Sequence, residues 1–502
     1  MTVPRAHILG IPRELRDMIY LFYVQEPGGY VYSPESGKLR AVNRKLIDTA
    51  LALSCRQVSE ELRGLALQKN NITFYPVRSS RTAFLFERVL ANLRYLKEIV
   101  LNVASHEINP HLRERVAQEF PQARVMLSMI TDPAPAYGER ILDAVVSSSR
   151  PWGLAPSQHR AISDRLLELA SCNPAFDDAA AYALQYQGDI RSLTTFRSLL
   201  SLQPILWSLP TRQDVDEMAK ICPPCEALPI ACDPRTNIYF SASAAAHKFL
   251  TALSEPTRMS MRQIRLCETR RSVAYPECHA LGLVRFCVEN TRLRITREVD
   301  MFRSVFPIYG GIKNSGWDDV PYLQGIASHL HHSEVTGRIV PWLEEASILT
   351  SAGMPIDSYS LVFLAPPFEC QQVLDLLAEA AKWQDAVAEA SQRGRIAPVQ
   401  PLWENPWPCC RTVNFARIVE SVINKRSFVR FEGATGVIWN MEALLEQAYN
   451  WSELRWSQEY ESMQSQNVQF KELPSWLDIQ REYLAQDMEN PDSDVFREQN
   501  RI

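Results

Sequence analysis

Apolar positions near the start of the chain recur with the period of a helix. Leu15, Met18, Ile19 and Phe22 stand at i, i+3, i+4 and i+7, which is one helix face. Pro12 suits the first turn, where its missing N–H costs nothing. Pro27-Gly28-Gly29 stops the helix. A loop containing Ser33-Pro34-Glu35-Ser36-Gly37 leads to a second helix, with Leu51, Cys55, Val58, Leu62 and Leu65 on one face. Its opposite face is polar, with Arg56, Gln57, Glu60 and Arg63.

A second pattern occurs twice. Asn71-Ile72-Thr73-Phe74 is followed by Phe84-Leu85 and then Ile99-Val100-Leu101; Asn237-Ile238-Tyr239-Phe240 is followed by Phe249-Leu250 and then Ile264-Arg265-Leu266. The central Phe precedes the later Ile by fifteen positions in both copies. Each copy reads as strand, amphipathic helix, strand. Such a unit cannot cover both its sheet face and its helix stripe alone, so copies stack and bury a shared core. Two copies are fewer than a solenoid normally needs, so the intervening and C-terminal segments must supply the missing walls.

Between the copies, His111–Phe120, Glu139–Ser147, Ser157–Ala170 and Ala175–Gln187 carry helical periodicity, separated by breakers such as Asp132-Pro133 and Arg150-Pro151-Trp152-Gly153. Leu293–Ile295 and Val429–Phe431 read as strands. Glu369–Gln392 is the clearest helix, with Gly394 placed to end it. Trp439, Trp451, Trp456 and Trp476 punctuate helical segments, and the tail from Met488 is acidic and poor in apolar residues. The expected fold is therefore α/β or α+β. Residues 1–67 form a helical segment and 68–310 a duplicated, leucine-rich-repeat-like strand–helix–strand core with a helical insert at about 107–220. Residues 311–502 form a mainly helical C-terminal region.

Composition narrows the function classes. The chain of 502 residues carries a formal net charge of −5. The last segment, from Trp451, holds eleven acidic against five basic residues, so the rest is near neutral. That balance argues against nucleic acid or an anionic membrane as partners. No uncharged run approaches the roughly 20 apolar residues that cross a bilayer. A reducing compartment, cytoplasmic or nuclear, is expected, with the eleven cysteines as thiols or metal ligands. The sequons at Asn71 and Asn450 would then not meet the glycosylation machinery.

Candidate chemistry is sparse. Cys222-Pro223-Pro224-Cys225 with Cys232 supplies half of a tetrahedral zinc site, and His247, Cys267, Cys278 or His279 could complete it. Without a second C-x-x-C, the alternative is three buried or loop thiols. Cys278-His279 resembles a nucleophile with its base, but adjacent side chains rarely point at each other, so both read as structural. His329, His331 and His332 read as an exposed loop. No P-loop, dinucleotide, nucleophile-elbow or zincin motif occurs, and Gly310-Gly311-Ile312-Lys313 lacks phosphate-loop spacing. Arg262, Arg265, Arg270, Arg271, Arg292, Arg294 and Arg297 could meet phosphate or an acidic partner, or pair with Glu268, Glu289 and Glu298. No catalytic residue or cofactor is assigned.

The opening residues carry a resemblance. Leu9-Gly10-Ile11-Pro12-Arg13-Glu14-Leu15-Arg16-Asp17-Met18-Ile19-Tyr20 resembles the LPxELRxxIY start of fungal F-box-like proteins. Ala50–Glu61, with Cys55-Arg56-Gln57-Val58, resembles the segment that follows in that family, and Asn71-Ile72-Thr73-Phe74 resembles its next strand. Tyr275–Leu283 and Phe286–Asn290 look like a segment of larger fungal proteins of this type. The resemblance implies a non-enzymatic interaction module, a substrate receptor that docks on a Skp1-like adaptor of a ubiquitin ligase and presents a protein substrate. Ile11, Pro12, Leu15, Ile19 and Val58 would then lie on the docking side. The chain departs from the pattern in its Gly10-Ile11-Pro12 and in the long loop between the helices. A fungal structural or scaffold role, with these helices packed as core, is the alternative.

Overall fold

Six parallel strands lie side by side in chain order. They belong to a seven-stranded sheet of β1 (Tyr30–Ser33), β2 (Lys38–Ala41), β3 (Asn71–Phe74), β4 (Gln263–Glu268), β5 (Arg294–Asp300), β6 (Tyr359–Leu364) and β7 (Val429–Phe431). Its order is β7-β6-β5-β4-β3-β1-β2, with β2 antiparallel at one edge. The computed structural model describes residues 8–42, 47–129, 154–186, 195–224, 237–306, 330–396 and 414–471.

The register aligns inward residues into rows. Ile72, Ile264, Ile295 and Tyr359 form one row; Phe74, Leu266, Arg297, Leu361 and Val429 form the next; Glu268, Val299, Phe363 and Phe431 form a third. All are buried. The alternate residues form the other face, where Gln263, Arg265, Arg294 and Arg430 are exposed and Thr296, Ser360 and Val362 are half-buried. Strands added always on the same side, through right-handed crossovers, place their helices on one face. Helices α5 (Ala242–Ala252), α6 (His332–Ile348) and α7 (Pro367–Gln392) supply that cover and join the sheet in the main core.

The helical insert has its own core. α3 (Ser80–Val103) contributes Val89, Leu93, Leu96 and Val100; α4 (Pro156–Ala170) contributes Ile162, Leu166 and Leu167, beside Phe176 of the helix Pro174–Tyr186. The predicted helices at His111–Phe120 and Glu369–Gln392 appear as Pro110–Glu119 and α7, and Gly394 takes φ +69° just beyond. Glu139–Ser147 and Trp476 lie outside the described residues. Trp383, Trp451, Trp456 and Tyr460 cluster in a C-terminal aromatic core.

The mixed α/β class is as expected; the duplication is not. Ile99-Val100-Leu101, expected as a strand, lies inside α3. The two matching strands also have different fates. Asn71–Phe74 is central in the sheet, whereas Tyr239–Phe240 pairs antiparallel with Val77–Arg78 in a separate two-stranded ladder. The sheet further draws β1 and β2 from the segment expected to be helical and β6 and β7 from beyond residue 310, so it crosses both expected boundaries. β1 and β2 form a hairpin in the expected loop. Gly29 adopts φ +73° there, and a Cβ on it would overlap the Asn71 carbonyl.

Candidate functional site

The first N-terminal helix packs one side on the second and leaves an apolar side outward. α1 (Arg13–Val24) buries Arg16, Tyr20 and Val24 against Val58 and Leu62 of α2 (Arg56–Leu62). Glu61 ties the pair together. It accepts from Arg16 Nε (3.1 Å) and Nη2 (2.8 Å), Tyr20 Oη (2.7 Å) and Gln57 Nε2 (3.0 Å). Arg16 Nη1 also donates to the Ile11 carbonyl at 2.6 Å, and Arg13 pairs with Glu61 at 2.9 Å. The Arg16 guanidinium is the main reason that the Glu61 carboxyl is held down to about 2.

The opposite stripe of α1 is left uncovered by the described residues. Leu15 is 50 % exposed, Met18 57 %, Ile19 41 % and Phe22 79 %. Pro12 is exposed and Ile11 partly buried beside it. Val58, expected on the same docking side, is fully buried, because α2 turns it onto Tyr20. Met18 and Phe22 complete the stripe, and their helical spacing with Leu15 and Ile19 was the signal for them.

A second feature lies beyond the carboxyl ends of β4 and β5. Two adjoining cavities of about 510 and 650 Å³ share Arg94, Tyr275, Glu277 and Pro341 on their walls. Ala274 and Tyr275 both take left-handed φ, at 66° and 59°. Non-glycine residues rarely do so, at about 1–2 kcal/mol each, so neighbouring contacts must hold them. The Ala274 amide donates to Glu87 Oε2 (2.8 Å), its carbonyl accepts from His279 Nε2 (2.8 Å), and the Arg160 guanidinium lies 4.4 Å over the Tyr275 ring. Below the cavities, the buried Glu345 carboxylate accepts from the Ser157 amide (2.6 Å) and hydroxyl (2.7 Å) at the start of α4. Burial pushes Glu345 up to about 7, and pushes Glu277 upward as well. Burial drives His159 down to about 4, so it is neutral at physiological pH.

The buried Cys222 thiol sits between Asn92 Nδ2 (3.6 Å) and the Val89 carbonyl (3.9 Å), and burial raises it to about 12. Cys225 and Cys232 lie outside the described residues, and among the described residues no group of three or more His, Cys, Asp or Glu side chains could hold a metal. Cys278 is buried, and His279 is bound at both nitrogens, to Ser241 Oγ (2.7 Å) and the Ala274 carbonyl, as structural residues are. His332 is buried against Gln464, not exposed as expected; His331 is exposed, and His329 and Gly310–Lys313 lie outside the described residues. Arg265 pairs with Glu298 (2.7 Å) and Arg297 with Glu268 (2.8 Å). Among the described residues no helix is long and apolar enough to cross a membrane. No family model, curated protein or solved structure matches the chain.

Proposed function

We propose that the chain is a non-enzymatic protein-interaction module of the cytoplasm or nucleus. In this reading α1 docks on a Skp1-like adaptor, and the remainder presents a protein substrate to a ubiquitin ligase. One observation carries it: Leu15, Met18, Ile19 and Phe22 form a continuous apolar stripe on a helix whose inner side is already closed by Arg16, Tyr20 and Glu61. An amphipathic helix with its apolar side outward fits a partner's groove. The motif that resembles the fungal F-box-like opening, Ile11-Pro12-Arg13-Glu14-Leu15, lies at the start of that stripe. The open sheet face offers a separate surface for substrate.

The test is retention of a recombinant Skp1 adaptor by the folded chain. Wild type is expected to retain it, and Leu15→Glu with Phe22→Glu to lose retention while melting at an unchanged temperature. Failure of the folded wild-type chain to retain the adaptor, or retention indifferent to both substitutions, rejects the reading.

A further inference from the structure

We propose that the larger cavity, between the insert helices and the segment Tyr275–Leu281, binds a small organic anion, a carboxylate carried on an apolar body. The cavity of about 650 Å³ has the size of small-molecule sites, which are mostly apolar with a few placed polar groups. Its walls come from α3, α4 and residues 203–207, and Tyr275, Glu277 and Leu281 close it. Leu93, Leu101, Phe120, Leu206 and Trp207 form its apolar wall. Trp207 is set in place by Gly282, where any Cβ would overlap the indole.

The charge on that wall selects the headgroup. Arg94 pairs with Glu98 at 2.9 Å and Lys97 with Asp164 at 2.8 Å, so these two cations are neutralised. Arg160 has no ion pair among the described residues; one face of its guanidinium rests on the Tyr275 ring. Apart from its hydrogen bond with the Cys278 side chain, a guanidinium stacked in this way has N–H groups left for a carboxylate, which it can bind through two parallel hydrogen bonds. Glu277 and Glu345 are acids within electrostatic reach of Arg160. Burial favours the neutral form of Glu277, and both Glu345 oxygens are engaged by Ser157. The left-handed pair Ala274–Tyr275, which supports the stack, is the kind of local strain that clusters at binding sites.

Calorimetric titration of the full chain with octanoate and with 1-octanol tests the assignment. Octanoate is expected to bind at one site per chain, at least tenfold tighter than 1-octanol. Arg160→Gln should remove that preference. Ile205→Trp, at the exposed rim, should weaken both ligands tenfold or more without touching the core, and keeps the test decisive if Arg160→Gln lowers the melting temperature. Equal binding of the two ligands, no binding of octanoate at millimolar concentration, or octanoate affinity unchanged in Ile205→Trp overturns the proposal.

Discussion

Glu268 is the residue on which three elements meet. It ends β4 on the inner face, where an acid is out of place among Val299, Phe363 and Phe431 of its row. Its carboxylate accepts from the Ala242 amide (2.9 Å) and the Ser243 hydroxyl (3.0 Å) at the start of α5, and from Arg297 Nε (3.0 Å) on β5. Arg297 is fully buried, with Trp342 stacked 4.8 Å away. Removing one partner leaves a buried charge uncompensated, so Glu268→Ala should cost about 3–5 kcal/mol, read as a lowered denaturation midpoint. Glu345 makes a different prediction, because burial opposes its charge. Its folded-state value of about 7 lies above the ordinary 4.5. The folded chain therefore binds the proton more tightly than the unfolded one. Stability contributed by Glu345 is complete below about pH 4.5 and is lost as the pH rises to 7, by up to about 3 kcal/mol. Glu277 shifts in the same direction and Arg160 opposes it. Melting temperatures of wild type and Glu345→Gln should thus diverge between pH 4.5 and 7 in favour of the variant; parallel curves would remove Glu345 as the cause.

At the scale of elements, periodicity spoke clearly where one face is buried and misled where a helix is buried on several sides. The four-residue stripe of α1 was legible from spacing alone, but spacing does not say which side of a helix faces inward. Tyr20 and Arg16 won the interior because Glu61 satisfies their polar ends there. Val58 was misplaced for the same reason. Ile99-Val100-Leu101 looked like a strand as an isolated β-branched run. In α3 it continues a period of Val89, Leu93, Leu96 and Val100, and both the insert core and the cluster around Phe240 and Val273 need apolar residues from that helix. The hairpin β1–β2 has its signal in Tyr30-Val31-Tyr32 before Ser33-Pro34-Glu35-Ser36-Gly37, a short alternation flanked by the stronger helical periods. The cleft was illegible, because Arg94, Arg160 and Tyr275 are joined only by tertiary packing. The α1 geometry predicts a sharp asymmetry. Phe22→Ser, on the exposed stripe, should change stability by no more than about 0.5 kcal/mol. Tyr20→Ala, two residues away, should cost about 3–5 kcal/mol through the lost ring and the lost hydrogen bond to Glu61. Urea unfolding of the two variants would compare them directly.

At the scale of the whole molecule, the N-terminal segment is both a presenting surface and a wall of the main sheet. β1 lies parallel on β3, with Tyr30 opposite Ile72 and Val31 opposite Thr73, and β2 closes the edge outside it. Tyr32 reaches over that joint, its ring 5.2 Å from Phe74 and 5.3 Å from Phe249 of α5. Pairing of β3 with β4 could not be read locally, since the whole helical insert separates Asn71–Phe74 from Gln263–Glu268 in the chain. The same long separation makes the β3–β4 joint costly to close in entropy, so its neighbours matter. A chain lacking residues 1–67 would keep every helix that covers the sheet, yet would expose the edge of β3 and strip the aromatic cover from Phe74 and Phe249. An exposed, apolar parallel edge is a template for pairing with other chains. The truncated chain should therefore self-associate on size exclusion and lose amide-exchange protection at Ile72, Thr73 and Phe74, while the C-terminal aromatic core around Trp383 and Trp456 keeps its own. A monomer that retains protection at β3 would show the hairpin to be an appendage, and the first 67 residues could then be treated as a separable docking unit.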